Sequence, residues 1–431
     1  MELVVFVVAA LGFFALIMVS IALHEVGHLV PAKLFGVKVT QYFTGFGRTL
    51  WSTRRGETEY GVKAIPLGGF VRMVGMFPPR PDGTLRSSSS GLFSSLADSA
   101  REAEYEQVTP ADDGRLFYQK PVWQKLVIMA GGPVMNLLLA FLILLGVTGL
   151  YGVVRPQLTV AAVSECVLAV GEQRACTDAD PTTPAKKMGL LPGDRIISFN
   201  GVVLHSWEQL SELIRDNGAA PATVVVERGG QPLPLPPVAT TVTGVVDEWN
   251  PSRTVEAGFL GVSPSYERVR GGPVTVLSDM AEMTALSLHA LARFPVSVYT
   301  TAADLVTGAD RDPNGPISIV GASRTAGDVA TTPMLTAGEK VSTWFTLLGS
   351  VNLFVALFNF VPLLPLDGGH IAGALWEGLR RWLARVRGRR DPGHVDTARL
   401  LPVAYLVGGF IAVSGVVLIL ADLIDPIRLF G

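Results

Sequence analysis

Apolar positions fall into four long runs, separated by stretches that alternate with a period of two and by one stretch with no period. The first run, Leu3 to Leu23, carries no charge and has about the 20 residues that a helix needs to cross a bilayer core. Further runs cover about 121–154, 342–375 and 401–423. Short β-branched and aromatic segments fill Gly36 to Met76, with turn signals at Gly45-Phe46-Gly47, Arg55-Gly56 and Pro66-Leu67-Gly68-Gly69. They predict strands and hairpin turns beside the first span. A second alternating stretch, Pro156 to Pro264, predicts a separate β-rich domain. Pro78 to Arg115 holds a proline cluster, the run Ser87 to Ser90 and an acidic piece, too little apolar surface to order itself. Val274 to Val306 is apolar but interrupted by His289, Arg293 and Asp304; Pro295 is expected to break it, and a surface helix suits it better than a span. Asn314 to Ile319 predicts a turn and a short strand.

The fold class expected is a polytopic α-helical membrane protein with four spans, a membrane-associated β-hairpin sheet and one β-rich domain. Its segments are 1–35 (first span), 36–77 (β region), 78–120 (loop), 121–155 (second span), 156–265 (β domain), 266–340 (connecting region), 341–378 (third span), 379–400 (basic loop) and 401–424 (fourth span). The first run is expected to be retained, because Met1-Glu2 is no positive n-region and no small-residue cleavage site follows. Pro31 should end the first helix early.

The chemistry sits on two of these spans. Directly after the first apolar run comes His24-Glu25-Val26-Gly27-His28. On a helix the two histidines lie one turn apart on one face, so they can share one zinc ion while Glu25 stays free to take a proton. Ionisable groups in a span are costly and mark function. The third run contains Asn359-Phe360-Val361-Pro362-Leu363-Leu364-Pro365-Leu366-Asp367-Gly368-Gly369-His370, where two prolines and two glycines should partly unwind the helix. A carboxylate there costs roughly 3 kcal/mol unless paired or metal-bound. Asp367 is therefore the expected third ligand of one Zn2+ per chain, with the fourth position open. In the second span, Gly131-Gly132-Pro133-Val134-Met135-Asn136 suits close helix packing, and Asn136 is either packing glue or a substrate contact. The sheet at Gly36 to Met76 offers an edge to which an extended peptide can add, unless it is only structural.

Composition and charge set the orientation. Of 431 residues 49% are hydrophobic and 17% charged, which fits several spans with a water-exposed domain, and a net charge of -2 without basic-aromatic runs excludes a nucleic-acid partner. Arginines at 380, 381, 385, 387, 389, 390 and 399 face two aspartates in the 379–400 loop, which reads as cytoplasmic. Parity then places the N-terminus and 156–340 outside and Gly36 to Lys120 inside. About a dozen Lys and Arg in the latter, against a net acidic 156–340, agree. His24 and Asp367 would lie at similar depth towards the cytoplasmic face of the cell membrane.

Lys187-Met188-Gly189-Leu190-Leu191-Pro192-Gly193-Asp194 and the strands around it resemble a bacterial PDZ domain over about a hundred residues. In the circularly permuted form the resemblance maps the ligand loop onto Gly258, Phe259, Leu260 and Gly261. Cys166 and Cys176, alone in one small extracytoplasmic domain, favour a bridge over a metal site.

With these motifs together, the chain resembles, over nearly its whole length, the bacterial site-2-type intramembrane zinc proteases of the RseP class, in a form with one PDZ domain as found in actinobacteria. The resemblance implies regulated intramembrane proteolysis, with Glu25 catalytic, His24, His28 and Asp367 on zinc, and Asn359, Asn136, Gly45, Phe46, Gly68 and Gly69 lining the substrate site. The implied partners are single-span membrane proteins such as anti-sigma factors, first trimmed by a site-1 protease, or signal-peptide remnants, together with membrane lipid. A zinc-binding membrane receptor or transporter with a peptide-sensing PDZ domain is the alternative; Glu25, which a structural zinc site does not need, speaks against it.

Overall fold

The computed structural model describes residues 1–79, 102, 105, 108–168, 172, 174–246 and 254–427. Most of the serine-rich stretch 78–115 lies outside them. The chain divides into two compact units, Met1–Val147 with Pro273–Gly431, and Thr148–Gly272.

The first unit starts with α1, Glu2–Leu34, which runs through Pro31 rather than stopping there. Proline in the last turn removes only the bond to the carbonyl of Gly27, and Gly36, at φ +69, closes the helix with Val37 N–H donating to Ala32 and Gly36 N–H to Lys33. Strands β1 (Val39–Arg55) and β2 (Thr58–Met73) follow. Their register is double: Tyr42 faces both Tyr60 and Val71, and Tyr60 faces both Tyr42 and Thr53. Each strand therefore folds back on itself, giving a four-layered antiparallel ribbon in the order 49–55, 58–63, 39–44, 69–73. The bends fall at Gly45 and Gly47 (φ +92 and +83) and at Gly68 (φ +100), the glycines of the predicted turns.

Helix α2, Val122–Gly146, packs on α1 and ends in a π-turn at Val147–Tyr151. Later in the chain come α5 (Pro273–Thr307), α6 (Ile319–Thr331), α7 (Ala337–Asn359), α8 (Asp367–Val386) and α9 (Leu401–Ile424). Pro295 does not break α5, which packs on α2, α7 and α9; one lost helix bond in 35 residues is outweighed by that burial. The strand expected at Ile317–Ile319 is instead the start of α6, because the Ser318 hydroxyl accepts from the N–H groups of Val320 and Gly321. The third apolar run is not one loosened helix but two helices, interrupted at residues 360–366 where Pro362 and Pro365 stand. Among the described residues four helices are long and apolar enough to cross a membrane: Glu2–Leu34, Val122–Tyr151, Ala337–Asn359 and Thr397–Ile424.

The second unit is a six-stranded sheet. It is built from β3 (Val153–Val163), β4 (Arg195–Phe199), β5 (Val202–Val203), β7 (Val224–Arg228), β8 (Gln231–Pro234) and β12 (Val262–Val269). Two small antiparallel pairs accompany it, β6 (Pro221–Ala222) with β9 (Val238–Ala239) and β10 (Thr241–Val246) with β11 (Thr254–Phe259). Helices α3 (Pro184–Met188) and α4 (Trp207–Asp216) cover a core that includes Met188, Ile196, Phe199, Leu210 and Leu260. Cys166 and Cys176 are joined by a disulfide.

Candidate metal centre

Helical periodicity in α1 sets His24 and His28 one above the other, 7% and 5% exposed. The break before α8 then carries Asp367, the first residue of that helix, onto the same spot. Gly368 and Gly369 make this possible: a Cβ on either would strike the backbone of the 360–364 segment folded beneath them. His24 Nε2, His28 Nε2 and Asp367 Oδ2 form a triangle with all three sides 3.3 Å. Ligand atoms held at about 2.0–2.1 Å by a tetrahedral zinc ion lie about 3.3–3.4 Å apart, so the spacing fits.

The donor chemistry fits as well. His28 Nδ1–H donates to the carbonyl of Ile128 at 2.7 Å, which fixes the tautomer and turns the Nε2 lone pair into the site. Asp367 Oδ2 is buried without a hydrogen-bond partner, a costly state for a carboxylate oxygen that a cation relieves. The wall opposite is backbone. A Cβ on Gly132 of α2 would lie 2.6 Å from His24 Nε2 and closer still to His28 Nε2.

Glu25 is not part of the triangle. Its Cγ would be 2.9 Å from a Cβ on Gly69 of the ribbon. Residues 69–73 form one outer layer of the ribbon, and Glu25 packs against Gly69 in it. Tyr42 ties the ribbon to α1 by donating to the carbonyl of Ala22 at 2.9 Å.

The other residues predicted for the site are placed as follows. Asn136 is 1% exposed and one turn beyond Gly132 on the same face of α2, its Oδ1 without a partner. Asn359 is the last residue of α7 and its amide donates back to Val355, outside the triangle. Gly45, Phe46, Gly68 and Gly69 form the bend of the ribbon, where the ring of Phe46 stacks on Phe70 and covers Gly68. Gly258, Phe259, Leu260 and Gly261 belong to the second unit and turn inward there. Leu260 is 1% exposed, and the carbonyls of Leu260 and Gly261 accept from Ala185 and Ser164.

Sequence reasoning missed three polar links. Asn352 of α7 donates to Ser20 of α1 at 3.1 Å, one turn before His24. Lys125 at the start of α2 meets Glu377 of α8 at 2.9 Å, both buried. Arg311 binds Asp422 near the end of α9 at 2.7 Å. A lone polar residue in an apolar run was the available signal for each.

Residues 12–390 match peptidase family M50. The chain is 33% identical to the zinc metalloprotease Rip1 of Mycobacterium bovis, over 99% of both chains. It is 31% identical to Rip1 of Mycolicibacterium smegmatis, over 96% of this chain and 97% of that one. Similarity extends to the zinc metalloprotease RasP of Shouchella clausii, at 26% over 86% of this chain and 90% of that one. Nothing in these matches points to a receptor or transporter. With a zinc-sized triangle of two histidines and an aspartate at the end of an apolar helix, the chain belongs to peptidase family M50 and is an intramembrane zinc metalloprotease of the site-2 type.

Proposed function

We propose that His24, His28 and Asp367 hold the zinc ion, that Glu25 is the general base, and that the substrate is the transmembrane segment of a single-span protein, presented as an extended strand along residues 69–73. The observation that carries this reading is that Glu25, next to the ligand His24 on α1, packs against Gly69 in an outer strand of the ribbon. Zinc, when bound, supplies Lewis acidity to the scissile carbonyl and to the attacking water. Glu25 takes the proton of that water and passes it to the departing amide nitrogen. A peptide bond inside a helix is shielded by its own turn. Pairing with an open sheet edge satisfies the substrate's backbone groups in lipid once the helix is unwound. Asn359, at the end of α7, offers a side-chain amide to one further backbone group of the unwound peptide.

The charge pattern supports four spans with the basic 379–400 loop and the ribbon on the cytoplasmic side and residues 156–340 outside. Consistent with one side for both, the Thr397 hydroxyl donates to the carbonyl of Met76, and His394 packs edge-on against Tyr118. The second unit is read as a PDZ domain: Thr183 caps α3, Gly189 ends it at φ +78, and Asp194 closes the following turn by accepting from Leu191. Its proposed task is to exclude substrates whose outer domain has not been trimmed, in a pathway releasing cytoplasmic fragments of proteins such as anti-sigma factors.

The reading is tested by reconstituting the protein with a single-span substrate and mapping the new termini by mass spectrometry. Cleavage inside the span is expected; cuts confined to the water-exposed flanks would refute it.

A further inference from the structure

An open cleft of about 460 Å3 lies at the C-terminal end of α1, well within the range of small-ligand sites. Its polar lining is Lys33, Arg55, Glu57 and Arg115, with Gly36 and Gly56 leaving the floor bare of side chains. Glu57 is 2.6 Å from Arg115, so the one carboxylate of the lining is already paired with one of its two arginines. The ammonium group of Lys120 stands 3.9 Å from the Cβ position of Gly36, adding charge at the rim. Its pKa is pushed down, by burial first and then by the Arg115 charge, as expected where positive charge is in excess. Arg55 is exposed and makes no ion pair among the described residues.

The surroundings decide what such a cleft takes. On α1, Val30 is 49% and Leu34 77% exposed, and Trp123 at the start of α2 is 56% exposed with Phe35 against its ring edge. In a membrane protein, apolar side chains bared at a helix end beside an indole face acyl chains at the level of the headgroups. A polar cavity of net positive charge opening at that level meets the glycerol and phosphate of a lipid before it meets anything else. The carbonyls at the end of α1, which would repel an anion, are occupied by the N–H groups of Phe35, Gly36 and Val37.

We propose that the cleft formed by Lys33, Arg55 and Arg115 binds the phosphate headgroup of an anionic glycerophospholipid, whose acyl chains lie along Val30, Leu34 and Trp123. The same hairpin that carries Arg55 carries the edge beside Glu25, so the lipid anchors the ribbon at the bilayer surface.

Native mass spectrometry of the full-length protein in neutral detergent, titrated with phosphatidylglycerol or phosphatidylcholine, tests this. Phosphatidylglycerol should be retained at least ten-fold more strongly. Lys33→Gln with Arg55→Gln should weaken that retention roughly five-fold for each charge removed, and Arg55→Gln alone, at the exposed hairpin tip, gives the single step if the double variant does not fold. Arg48→Gln, an equal charge loss on the same hairpin outside the cleft, should leave it unchanged. Equal retention of the two lipids, or an undiminished preference in Arg55→Gln, would overturn the site. Displacement of phosphatidylglycerol by millimolar inorganic phosphate would overturn the lipid assignment and show a free-phosphate site.

Discussion

The backbone carbonyl of Gly27 lies where a Cβ on Gly131 would stand, so α1 and α2 touch there main chain against main chain. Pro31 has no N–H to offer that carbonyl, and the small residues of α2 fill the gap it leaves. One residue on, Gly132 faces the two histidine nitrogens. The two glycines therefore predict different failures. Gly131→Ala forces the helices apart, at a cost of about 1–3 kcal/mol of stability. Gly132→Ala pushes a methyl group against His24 and His28 and should drop bound zinc well below one per chain. Zinc content and thermal unfolding of the two purified variants separate the effects; full zinc in Gly132→Ala would disprove the contact.

Glu25→Gln keeps the length and shape of the side chain but removes the proton acceptor. Zinc should stay at one per chain while cleavage falls by roughly 100-fold to 10,000-fold, the range for loss of a general base. Proteolysis at the wild-type rate would remove Glu25 from the mechanism.

How much of this site could be read from the residues follows from how local each interaction is. His24 and His28 are one helical turn apart, so spacing alone places them together. Asp367 joins them across more than 300 residues, and only the cost of a carboxylate in an apolar run announced it. The turns of the ribbon were legible as glycines, but its double-backed register was not, because each half strand pairs with two others. The start of α6 was misread because Ile317-Ser318-Ile319 alternates like a strand, while the capping by Ser318 depends on where the chain turns. The inward packing of Leu260 likewise follows from tertiary contacts that a motif does not carry.

Asn359→Ala should lower cleavage about ten-fold through a single lost hydrogen bond to substrate and leave zinc unchanged. Its amide is held by Val355 of its own helix, so no ligand moves when it is removed. An unchanged rate, or loss of metal, would count against a substrate contact.

In the second unit, Arg228 bonds to Asp194 at 2.7 Å through two nitrogens and holds its carboxyl below the usual aspartate range. A folded-state pKa that is depressed contributes stability above the unfolded value, near 3.8, and that contribution is lost as the pH falls through the folded value. Hydrogen-exchange protection of β4 and β7 in the intact protein should thus decline with acid below about pH 3.8. Asp194→Asn should start lower at neutral pH and show a weaker acid dependence. Identical profiles for the two proteins would exclude this ion pair as the cause.

The proposed size filter makes the strongest demand. A capture site at Gly258 to Gly261 would have to open a loop that packs inward, with Leu260 1% exposed and Gly261 against Thr183. A filter needs only bulk. The unit also has ends suited to excision, since the N–H of Gly271 donates to the carbonyl of Thr148 at 3.2 Å. Joining those two residues through one or two glycines removes residues 149–270 without stretching the chain, whereas cuts inside β3 and β12 would leave unpaired strands. Zinc content then reports whether the remaining unit is intact. With zinc retained, the excised protein should cut untrimmed and trimmed substrate at similar rates, while the full chain cuts only the trimmed form. Loss of cleavage of the trimmed form would favour capture, and continued rejection of the untrimmed form would place the barrier elsewhere in the chain.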